Sequence, residues 1–130
     1  MWHTRGAHDL TPPAPGLVPS PAWVRFNFSQ PRTFAAFQIW NHNQANLTNR
    51  GMRKVRIYGS LDGTAWSSLT YPEVTVFPEA PGTSSYTAVS IPNSQSAHPW
   101  KSVIIAAEPV DGNYGGNVYG LSAVRFVLHT

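Results

Sequence analysis

Apolar residues recur at every second position through most of this chain, a period that fits strands and excludes long amphipathic helices. In residues 23–28, Val24, Phe26 and Phe28 alternate with Arg25 and Asn27. In residues 33–40, Ala35, Phe37 and Ile39 share one face, and in residues 53–58, Val55 and Ile57 alternate with Lys54, Arg56 and Tyr58. Residues 123–129 place Val124, Phe126 and Leu128 on one side. Residues 74–77 and 87–91 are shorter β-rich runs, and the apolar stretch within residues 102–107 reads as a strand buried on both faces. Turn formers separate these runs: Asp62-Gly63, Pro81-Gly82, Pro92-Asn93 and Asp111-Gly112. A single helical turn is expected near residues 66–69. Many short strands with regular turns predict an all-β fold, an antiparallel β-sandwich jelly roll of about eight strands. The 130 residues fit one domain spanning 1–130. Residues 11–21 contain Pro12, Pro13, Pro15, Pro19 and Pro21 and are expected to form an extended loop.

Charge narrows the function. Charged residues are 12% of the chain and the net charge is only +3. The longest basic cluster, Arg53, Lys54 and Arg56, follows the strand alternation and reads as a solvent-facing edge, so no nucleic-acid partner is expected. The absence of cysteine excludes disulfides and thiolate metal sites. No stretch of about 18 apolar residues exists, so no membrane span is expected. Residues 1–10 lack the apolar core of a signal peptide. The acids are Asp9, Asp62, Glu73, Glu79, Glu108 and Asp111, and no pair of them assembles into a glycosidase site. With no nucleophile elbow, phosphate loop or histidine metal motif either, the chain is not expected to be an enzyme, and neither catalytic nor metal-binding residues are assigned.

Several segments resemble a known family. Ile39-Trp40-Asn41-His42-Asn43, then Asn49-Arg50-Gly51, then the run from Val55 through Ser60-Leu61-Asp62-Gly63-Thr64-Ala65-Trp66, and finally the residues from Tyr119 to Phe126, are similar to the discoidin or coagulation factor 5/8 C-type domain. That resemblance implies a galactose-binding-like β-sandwich of the kind attached to bacterial polysaccharide-degrading enzymes. It implies a non-catalytic carbohydrate-binding role with a glycan or polysaccharide as partner. Secretion or cell-surface display within a longer exported protein would follow. An adhesion or assembly domain of the same fold is the alternative. Members of the family commonly hold calcium between an N-terminal Asp-Gly-Asn loop and a final-strand carboxylate. This sequence opens on Met1-Trp2-His3-Thr4 and has Ala123 at the acid position, so no cofactor or calcium is expected. Galactose-binding relatives often carry a histidine where this chain has Val55 or Lys54, which leaves the sugar open.

Two loops carry the candidate ligand chemistry. Between Trp40 and Gly51 lie five amide side chains, His42 and Arg50. Amides donate and accept together, which suits vicinal hydroxyls, and the guanidinium is a planar fork for two oxygens. The alternative for Asn41 and Asn43 is backbone capping. The second loop, from Asp111 to Gly120, carries Asn113, and Tyr114 could stack on the apolar face of a pyranose. The ligand-binding set is therefore His42, Asn43, Arg50, Asn113 and Tyr114. The resemblance implies that these two loops meet at one end of the sandwich. Trp66 is expected to plug a sandwich end, and Tyr119 to pack inside.

Overall fold

The computed structural model describes residues 2–3, 10–115 and 118–128. Among these, nine strands form two antiparallel sheets. They are β1 (Trp2–His3), β2 (Trp23–Arg32), β3 (Phe34–Asn41), β4 (Lys54–Ser60), β5 (Ser67–Ser68), β6 (Val74–Val76), β7 (Val89–Pro92), β8 (Trp100–Ala107) and β9 (Gly120–Leu128). One sheet runs β1-β9-β3-β7; the other runs β2-β8-β4-β5, with β6 also paired to β4.

The period-two pattern explains the core. Phe37 and Ile39 of β3, Val55 and Ile57 of β4, and Val103 and Ile105 of β8 point inward and are fully buried. One end of the core is aromatic. The ring of Phe126 lies edge-on to Phe26, Phe28, Phe34 and Phe37, with centroids 5.1–5.8 Å apart, the arrangement the ring quadrupoles favour.

The expected double burial of β8 is observed, and residues 11–21 help to produce it. This segment folds back on itself, with Thr11 bridging Ser20, and Ser20 Oγ donates to Ala107 O at 2.7 Å. Ala14 and Leu17 pack on the outer face of the second sheet against Tyr58, Ile104 and Ala106. Trp66 joins this outer cluster, where the Arg25 guanidinium lies 5.0 Å above its ring. Trp66 therefore covers a sheet face and does not plug an end of the sandwich. The helical turn expected near residues 66–69 is instead β5, held extended by pairing of Ser67 and Ser68 with Gly59 and Tyr58. Two residues are too few to show an alternation.

The Asp62-Gly63 turn forms as read. Gly63 adopts a φ of 82°, which a side chain would resist. Asp62 Oδ1 accepts from Ala65 N at 2.9 Å and Thr64 N at 2.8 Å. These bonds, the Ala65 amide foremost, lower the Asp62 carboxyl from 3.8 to about 2. Because the folded value is depressed, the turn's stabilisation is complete above pH 3.8 and is lost as pH falls through about 2. The Thr64 and Ala65 amide shifts should therefore titrate by NMR with a midpoint near 2. A midpoint at the ordinary carboxylate value would refute the assignment.

Candidate functional site

The loop leaving β3 and the loop entering β9 meet. Gly51 bridges Gly120, Met52 pairs with Asn113, and Tyr114 N donates to Gly51 O at 3.2 Å. Residues 50 and 114 thus lie at one rim of the sandwich.

Asn41, the last residue of β3, holds this rim together. Its side chain is buried and uses all four of its hydrogen-bonding positions. Nδ2 donates to Met52 O at 2.8 Å and Pro78 O at 2.9 Å; Oδ1 accepts from His42 N at 2.9 Å and Met52 N at 3.0 Å. The approach is so close that a Cβ on Gly51 would sit 2.8 Å from Asn41 Oδ1. Backbone capping is what Asn41 does.

The five candidate residues differ in what they present. His42 is fully buried, with Nε2 3.4 Å from Gln44 Oε1. Burial closes the ring off from an incoming ligand, so His42 supports the loop from inside. Asn43 accepts from Gly82 N at 2.7 Å and donates to Thr83 O, clipping down the 82–83 segment. Its amide is already occupied, as in the capping alternative. Asn113 donates to Val118 O at 3.2 Å and accepts from Gly115 N at 3.1 Å, so it organises its own loop. Tyr114 is half-buried and its hydroxyl donates to Phe77 O. Burial raises its phenol above 10, aided by Glu79 and opposed by Arg53. Arg50 ends a short 3₁₀ turn, Thr48–Arg50, and is half-buried. Among the described residues its guanidinium has no hydrogen bond or ion pair.

The sequence reading missed three contributors. Arg53 sits over the Tyr114 ring at 5.7 Å and approaches Asp111 at 3.9 Å. Glu79 accepts from Thr48 Oγ1 at 2.7 Å, joining the 3₁₀ turn to the Pro-rich segment after β6. Tyr86 donates to Asn41 O at 3.1 Å. These last two help to frame a cleft of about 320 Å3 lined by Ile39, Asn41, Pro78–Pro81 and Tyr86–Val89. The recurring prolines and alanines of residues 78–88 were its available signal. Val55 and Lys54, where relatives carry a histidine, are respectively buried in the core and 3.5 Å from Asp111.

Of the other aromatics, Tyr119 and Trp100 are half-buried and pack on the core, whereas Trp23 lies 36% exposed. The Trp2 side chain lies outside the described residues. No group of three or more metal-binding side chains occurs among the described residues, and no helix is long and apolar enough to cross a membrane.

No family model and no curated protein matches the sequence. Solved structures do match. An F5/8 type C domain from Bacteroides fragilis is 22% identical at a TM-score of 0.52, over 80% of this chain and 62% of that one. A CBM32 module of a GH31 protein, solved bound to GalNAc, is 18% identical at a TM-score of 0.55, over 82% and 64%. The C-terminal domain of a Bacteroides fragilis chitobiase is 18% identical at a TM-score of 0.63, over 99% and 74%. The chain thus spans less than two thirds of the first two structures it matches. Two antiparallel sheets closing over one apolar core, together with these likenesses, give the chain the discoidin-like β-sandwich fold of F5/8 type C domains and CBM32 modules.

Proposed function

We propose that this chain is a non-catalytic carbohydrate-binding domain that holds a glycan at the rim built from the 42–51 and 111–115 loops. The observation carrying this reading is the backbone joint between Gly51 and Tyr114, which brings the loop bearing the uncommitted Arg50 guanidinium against the loop bearing Tyr114. The neighbouring cleft of about 320 Å3 lies at the small end of ligand clefts, about 300–1,000 Å3. The likeness to a module bound to GalNAc supports the same class of ligand. Arg50 is the hydroxyl-reading group, Tyr114 gives apolar contact, and His42, Asn43 and Asn113 position the loops.

Binding without catalysis is supported by the carboxylates. Asp62 caps its turn, Glu73 and Glu108 grip Arg56, Glu79 holds Thr48, and Asp111 lies beside Lys54 and Arg53. Asp9 lies outside the described residues. A bacterial, exported, multidomain parent is the setting this reading implies.

A glycan array followed by titration tests it. An affinity in the micromolar to millimolar range, roughly −8 to −4 kcal/mol, is expected. Arg50→Ala should weaken it about tenfold by removing a charge-assisted contact, with the thermal midpoint unchanged. Tyr114→Ala should weaken it further. Retention of full binding by both variants would move the site elsewhere, and failure to bind any glycan would favour an assembly role.

A further inference from the structure

A second polar cavity lies at the opposite end of the sandwich. β4 starts at Lys54, beside Asp111 of the rim, and ends at Ser60, where the Asp62-Gly63 turn begins. Seven residues of strand separate the two ends by about 20 Å. The cavity, about 380 Å3, is lined by Arg25, Asn27, Phe28, Leu61, Asp62, Gly63, Lys101 and Ser102. It sits where the pairing of β2 with β8 shifts register between Asn27 and Arg32.

The cationic group here is held in place. Arg25 Nε donates to Asn27 Oδ1 at 2.9 Å, and NH2 approaches Ser102 Oγ at 3.4 Å. Ser102 Oγ in turn donates to Asn27 Oδ1 at 2.8 Å. Trp66 supports the guanidinium from one side, and a Cβ on Gly63 would lie 3.5 Å from NH2. These contacts use two of the five guanidinium N–H donors. Among the described residues, Lys101 has no ion pair and Asn27 Nδ2 has no hydrogen bond. Asp62 shares the cavity, but its Oδ1 already takes the Thr64 and Ala65 amides and the Ser60 hydroxyl. The two cations outnumber it, so the local charge is positive. Phe28 and Leu61, the latter 50% exposed, add apolar wall.

We propose that this cavity is a second saccharide site that selects a glycan's anionic group, a carboxylate or a sulfate, through Arg25, Lys101 and Asn27. A fixed guanidinium gives two parallel N–H donors to such a group at little ordering cost, and Lys101 adds a point charge. This reading stands apart from the rim and does not depend on it.

Affinity electrophoresis tests it, with gels containing polygalacturonate, dextran sulfate or neutral dextran. The native chain should be retarded by at least one anionic polymer and not by dextran; which polymer acts distinguishes carboxylate from sulfate. Lys101→Glu should weaken retardation about tenfold. Arg125→Glu changes net charge equally from the exposed side of β9 and should leave retardation within about twofold. In an Arg50→Ala background, where the rim is weakened, Lys101→Glu should lower retardation by the same factor, which separates this site from the rim. Thermal midpoints confirm that each variant is folded. Equal losses in Lys101→Glu and Arg125→Glu would mean non-specific charge attraction and overturn the proposal. So would no retardation by either anionic polymer, or equal retardation by neutral dextran.

Discussion

Asn41→Ala should cost about 3 kcal/mol and loosen the whole rim, because truncation leaves buried backbone groups without partners. The Met52 and Pro78 carbonyls lose a donor, and the His42 and Met52 amides lose an acceptor. Denaturant unfolding would measure the loss, and hydrogen exchange at Met52 should quicken with it. A cost below about 1 kcal/mol would mean that water replaces the side chain freely. Asn41→Asp keeps the shape and inverts one end, setting a carboxylate oxygen against two carbonyls. Burial and those carbonyls raise that carboxyl's pKa in the folded state. The raised folded value means that the variant recovers stability as pH falls through it and loses stability as pH rises.

Phe37→Ala is expected to be at least as damaging, at about 4 kcal/mol, typical of a buried phenylalanine reduced to alanine. Phe37 is fully buried, 5.2 Å from the Phe34 ring and 5.8 Å from that of Phe126. At about 4 °C per kcal/mol for a domain of this size, the thermal midpoint should fall by about 15 °C. Calorimetry would show it. Phe126→Ala should cost less although Phe126 touches four rings, because Phe126 is only half-buried. The reverse order would mean that ring contacts outweigh burial in this core.

How much could be read beforehand depended on whether the information was local. β2, β3, β4, β8 and β9 showed themselves because each is long enough to alternate, and the Asp62 turn because its residues carry their own geometry. β5 did not, since its extended form comes from Tyr58 and Gly59 across the ladder. Trp66 was misplaced for a related reason: the face it covers is completed by residues 11–21, far away in sequence. The meeting of the two rim loops came from family resemblance, and periodicity holds nothing equivalent. The roles within the rim were less legible. An asparagine's type does not reveal whether its partner is a sugar or, as for Asn43, a backbone 39 residues on. Nor does a histidine beside a polar loop announce that it turns inward, as His42 does.

The docking of residues 11–21 bears on how the domain would sit in a larger protein. Ser20 is fastened to Ala107, and Ala14 and Leu17 cover Ile104 and Ala106. A proline-rich stretch in that position resembles a tether between modules, yet here it is part of the globule. Trimming the chain back to Trp23 would strip the outer side of β8 and leave a greasy, sticky plate. Any pivot toward a neighbouring module must therefore lie outside residues 11–21.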